Sequence, residues 1–164
     1  MGSPATLRGW AFLALAVLML LLLIPLPYSA EEQVFGENLR NLLHVPLFAA
    51  VTFLFRFLQF SSPPRWRPIF VCALGAGLLA VLSEMAQSIT GRTPSVGDLG
   101  ADLSGILLAC AVLLRGLERG VAIVRLMLLL AGGGMLALAV RPLVEELSAV
   151  RAKREVFPTL IDLK

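Results

Sequence analysis

The stretch PIFVCALGAGLLAVLSEMAQS, residues 68–88, decides the fold class. Glu84 is its single charged residue, and its apolar side chains fall on every face of a helix. Such a helix belongs in a large core or in a bilayer. A segment of about 20 residues is long enough to cross the hydrocarbon layer. Comparable runs lie on both sides of it. We expect further spans at residues 10–26, 42–60, 98–114 and 121–140. The first reads as an uncleaved span, because Tyr28 is badly placed for a cleavage site ending at Ala30.

Composition agrees. Apolar residues make up 58% of the 164 and charged residues 15%, against roughly 25% charged in a soluble domain. Mean hydropathy is +0.87. A soluble globule of this length cannot hide that much apolar surface, and disorder needs the opposite composition. The net charge of +3 does not indicate nucleic acid. The basic residues sit between apolar runs, where they orient a chain in a membrane. The expected fold is therefore all-α: a polytopic membrane bundle of about five transmembrane helices over residues 1–140. A tail at 141–164 carries Leu143, Leu147 and Val150 on one face, which suits an amphipathic helix at the membrane surface. Cys72 and Cys110 lie inside apolar runs and read as small buried hydrophobes with reduced thiols.

The connections are short and rich in Pro and Gly, so sequential helices should be antiparallel neighbours. Ala101, Gly105 and Ala109 recur every fourth residue, as do Ala73 and Gly77, and both sets suggest close-packing seams. The Gly132-Gly133-Gly134 run should also let a neighbour approach. Arg8, Arg56, Arg65, Arg67, Arg115, Arg119 and Arg125 gather at one side of the membrane, and Arg40, Arg92 and Arg141 at the other. That asymmetry places the N-terminus in the cytoplasm and, after five crossings, the C-terminus outside.

Antiparallel connection brings His44, Glu84, Gln87, Asp98 and Asp102 to one depth near the outer surface, with Arg92 in the adjoining loop. Glu84 and Gln87 share one helix face, and Asp98 and Asp102 another. Taken singly, Glu84 and Asp102 can be hydrated interfacial groups and Asp98 a helix cap. Taken together on three helices, they point to a site, because ionisable groups in membranes face cavities and one another. One His with acidic neighbours suits general acid–base work. No residue stands out as a dedicated metal ligand. Still, His, Glu and Asp together could hold a divalent cation, and an oxygen-rich site fits Mg²⁺ or Ca²⁺ better than zinc. Arg92 could clamp a phosphate or carboxylate. Ser83, Ser88, Ser95 and Ser104 belong to no nucleophile motif.

At these residues the chain resembles the VanZ-like family. Glu84-Met85-Ala86-Gln87, then Gly91-Arg92, Asp98 and Gly105 follow its Glu-x-x-Gln, Arg turn, Asp and Gly. His44-Val45-Pro46-Leu47-Phe48 matches the head of its second helix, and the resemblance covers residues 38 to 115. Two positions depart from it. Arg40-Asn41 stands where the family often has Asp-Lys, and Asp102 where it usually has Asn. The resemblance implies a small helical protein of the bacterial inner membrane, from a family named for resistance to the glycopeptide teicoplanin. The function expected is binding of an envelope or lipid-linked headgroup at the outward polar cluster, among membrane lipids. Two alternatives remain open: an enzyme modifying such a headgroup, and an assembly partner whose polar residues only join helices.

Overall fold

The structure, a computed structural model, describes residues 4–23, 33–59, 66–89, 96–115 and 119–156. Five α-helices run through them: α1 (Pro4–Leu23), α2 (Gln33–Leu58), α3 (Trp66–Ile89), α4 (Val96–Leu113) and α5 (Ala122–Val156). A turn of 3-10 helix, Arg119–Val121, leads into α5, and no strand occurs among the described residues. Four of the helices contain segments long and apolar enough to cross a membrane: Asn38–Leu58, Trp66–Ile89, Val96–Leu113 and Ala122–Lys153. The protein is an all-helical bundle with the character of a multi-pass membrane protein. The described part of the first expected span is α1, whose 20 residues carry Arg8 as their only charge.

Two helices are longer than their apolar runs. α2 begins at Gln33 and not near residue 42, so the acidic stretch before the expected span is helical from there on. α5 has 35 residues and continues through Pro142 to Val156, a length of about 52 Å against a hydrocarbon layer of ~30 Å. Apolarity marks where the bilayer lies, not where a helix stops. A helix satisfies its own backbone in water as it does in lipid. Pro142 removes one N–H, the one that would reach the Leu138 carbonyl, and α5 absorbs that loss.

Pairings fix the directions. His44 lies near Glu84, while Phe55 lies against Gly75, so α2 and α3 run antiparallel. Asn38 meets Glu146 on α5, and Ser104 meets Gly132, so α5 opposes both α2 and α4. α4 packs against α2, α3 and α5 and is the most buried of the four candidate spans, whereas α5 is the least buried of them.

Small residues govern these approaches. At Gly105 a Cβ would collide with the Val45 carbonyl oxygen and lie 3.0 Å from the Ala49 nitrogen. Ala101 and Ala109, one turn to either side, are buried, so the seam expected on α4 is where α2 meets it. On α3 the seam lies on a different face from the one expected. Cys72, Ala76 and Ala80 are buried, while Gly77 faces open space. Small residues recur every fourth position on more than one face of α3, and spacing alone does not choose between them. In the triple-glycine run only Gly132 is a contact. Its carbonyl accepts a 2.8 Å bond from the Ser104 hydroxyl, and Leu108 sits against its Cα.

The bundle has an apolar core and an apolar outer face, and it encloses a set of buried polar side chains. His44, Thr52, Ser83, Glu84, Gln87, Asp98, Asp102 and Ser104 are buried, while Leu74, Leu78, Leu82 and Met85 line the exposed side of α3. That distribution suits lipid as the outer solvent. Cys72 and Cys110 are free and buried on the packed faces of α3 and α4. The unreduced protein should therefore show both thiols by mass, with negligible alkylation when folded and labelling of both once denatured. An intramolecular bridge would contradict the packing described here.

Candidate functional site

Three helices deliver the polar cluster to one end of the bundle. Asp98 sits in the first turn of α4, with Asp102 one turn deeper, about 9 Å from the helix start. Glu84 lies five residues before the end of α3, about 8 Å from it. His44 comes from α2, whose first turns project further out. All five residues expected here, His44, Glu84, Gln87, Asp98 and Asp102, are buried, with His44 1% and Asp102 0% exposed.

At the centre His44 Nδ1 lies 2.7 Å from Asp102 Oδ1, the length of a charge-assisted bond. When Asp102 is ionised its carboxylate only accepts, and Nδ1 then carries the proton and donates it into the bond. His44 Nε2 and Asp102 Oδ2 are buried and have no hydrogen-bond partner among the described residues. His44, Glu84 and Asp102 each offer a ligand atom, and these atoms lie within 4.8 Å of one another. The imidazole stacks on Phe48 one turn along α2, with ring centres 6.4 Å apart and planes 22° from parallel. Phe48 is itself fully buried, so the ring is held from behind as well as by Asp102. Pro46 lacks the N–H that would reach the Leu42 carbonyl, so polar backbone is freed one turn from the cluster.

Both Glu84 and Asp98 interact electrostatically with Asp102. Three carboxyl groups and one imidazole thus share a buried region, and such carboxyls either take up protons or stay charged beside a counter-charge. Arg40 lies four residues before His44 on the same face of α2. It is half-buried, and its Nε is buried without a hydrogen-bond partner among the described residues. In the sequence it counts only as an orienting charge and a departure from the family pattern. The signal that places it here is its four-residue spacing from His44. Arg92 lies outside the described residues.

Three of the serines near the cluster are engaged with backbone carbonyls. Ser83, Ser88 and Ser104 donate to the carbonyls of Ala80, Met85 and Gly132, and Ser95 lies outside the described residues. α5 enters the neighbourhood in a way that hydropathy does not reveal. Glu146, beyond its expected span, accepts a 3.1 Å bond from Asn38 on the projecting part of α2. The cluster can do two things chemically. It can bind a hard cation through carboxylate oxygens and the imidazole, or it can move a proton through an Asp-oriented His. No family model, curated protein or solved structure matches the chain.

Proposed function

We propose that this chain is a VanZ-like integral membrane protein of the bacterial cell envelope that binds the phosphate-bearing headgroup of an envelope lipid through a divalent cation. The cation sits among His44, Glu84 and Asp102, on the extracytoplasmic side, with the N-terminus in the cytoplasm. One observation carries this reading: three ligand-bearing side chains from three helices converge within 4.8 Å. Electrostatics gives the reason for a cation. Three buried carboxylates repel a phosphate directly, and a divalent ion reverses that sign while satisfying the carboxylates. Arg40 adds a second positive group on the same face. The resemblance over residues 38 to 115 supports the envelope role, and the arginines at the opposite end support the orientation.

A second reading rests on its own observation. The Asp102–His44 bond leaves Nε2 without a hydrogen-bond partner among the described residues, an arrangement that suits an acid–base pair. His44→Asn separates the two readings. Asn keeps an oxygen for a cation and cannot transfer a proton, so function persists in part under the first reading and vanishes under the second.

Cells carrying Glu84→Gln at matched protein levels test the proposal. This change keeps shape and removes one charge. A ligand role predicts loss of glycopeptide or envelope-stress tolerance with folding intact. A purely helix-joining role predicts near-normal behaviour, since interhelical hydrogen bonds in membranes average only about 0.6 kcal/mol.

A further inference from the structure

The end of the bundle opposite the polar cluster holds a groove of about 500 Å³, within the roughly 300–1,000 Å³ of ordinary ligand sites. α3 and α5 both pack on α4 but not appreciably on one another, and the groove is the gap between them. Leu107 and Cys110 of α4, with Leu114 just past its end, form its floor, with Ile69 and Ala73 on one wall and Val124 on the other. Each helix contributes about two turns, so the groove is about 10 Å long. That is most of the depth of one leaflet in a ~30 Å hydrocarbon layer.

The rim is basic. Arg67 is exposed, and its guanidinium lies 5.5 Å from the ring centre of Trp66, a groove residue. Arg115 is exposed and follows Leu114 directly. Arg125 is three residues before Leu128 and four after Val121, which puts it on the groove-facing side of α5. It is half-buried, and its Nε is buried with no hydrogen-bond partner among the described residues. In sequence, Glu118 is the one acidic residue between α4 and α5, and none stands between α2 and α3. A guanidinium with its Nε buried and unpartnered among the described residues, beside an apolar cleft and two exposed arginines, suits an anion with a hydrocarbon tail. Trp66 at the rim suits the headgroup level.

We propose that this groove seats one acyl chain of an anionic phospholipid whose phosphate is held by Arg67, Arg115 and Arg125. The site is separate from the polar cluster and does not depend on its ligand. Basic pockets between helices take anionic headgroups on general electrostatic grounds. Here the groove adds a seat for the tail, so the lipid is retained and not merely attracted.

The test is native mass spectrometry of the full chain in detergent, with palmitoyl-oleoyl phosphatidylglycerol or phosphatidylcholine added. The wild type should retain phosphatidylglycerol in preference to phosphatidylcholine, and Arg67→Gln or Arg125→Gln should each weaken that preference about fivefold. Val124→Phe fills the groove from an exposed position and leaves every arginine in place. It should abolish retention of the lipid while the protein stays folded. Ala73→Phe is the second such variant, from the opposite wall. Equal retention of the two lipids by the wild type would overturn the proposal, as would unchanged retention by both groove-filling variants. Cation binding at His44, Glu84 and Asp102 should be the same in all these variants, so the fate of one site does not decide the other.

Discussion

Gly105→Leu should destroy function without removing a single polar group from the cluster. Gly105 sits where α4 crosses α2, and even a Cβ there would meet the Val45 carbonyl oxygen and crowd the Ala49 nitrogen. The obstacle is backbone and cannot rotate away, so α2 and α4 must separate. His44 is adjacent to Val45, and Asp102 lies one turn from Gly105. Any separation therefore stretches the 2.7 Å bond between them. Overpacking typically costs about 1–3 kcal/mol, and a clash with backbone belongs at or above the top of that range. Gly105→Ala should show the same defect in milder form. Gly133→Ala is the control, because Gly133 faces open space and alanine is the better helix former. Thermal unfolding of the purified variants checks this: a Gly105→Leu protein as stable as the wild type would contradict the packing.

The second large effect is expected at Asp102. Asp102→Ala removes the acceptor for His44 Nδ1 and one of the three converging ligand groups. Losing an outer-shell partner of a metal costs about 10–100-fold in affinity, so losing a direct ligand should cost at least about 100-fold. Asp102→Asn should behave quite differently. Its Oδ1 still accepts from His44, and the resemblance implies that Asn is common at this position. We expect envelope function to survive that change, with weaker cation binding from the lost charge. Cells in which Asp102→Asn is as defective as Asp102→Ala would show that the charge itself is indispensable here, unlike in the family.

The features legible in the sequence share a physical reason. Residues 68–88 are apolar on every face, and in a chain this short and this apolar a bilayer is what accommodates such a helix. Once spans alternate in direction, the depths of His44, Glu84 and Asp102 follow from their positions within the spans, and the structure brings these three together. Gly105 is legible because Ala101 and Ala109 flank it at helical spacing, so one stripe of α4 carries only small residues. The remainder depends on things hydropathy does not encode. The ends of α2 and α5 beyond their apolar runs are polar yet helical, so hydropathy hid them, and with them the Asn38–Glu146 bond. The packed face of α3 depends on which side meets α2 and α4, and Ala73-Gly77 and Ala76-Ala80 offer similar surfaces. Arg40 reads as a surface charge until α2 is known to be helical on both sides of it.

Cation binding by the purified full chain is the most direct test of the His44, Glu84 and Asp102 site. Equilibrium dialysis against Mn²⁺ as a surrogate for Mg²⁺, followed by metal analysis, should find a single ion per wild-type chain. That ion should be lost in Asp102→Ala and Glu84→Gln and retained in Val124→Phe. Absence of stoichiometric metal from the folded wild type, or equal binding by Asp102→Ala, would contradict it.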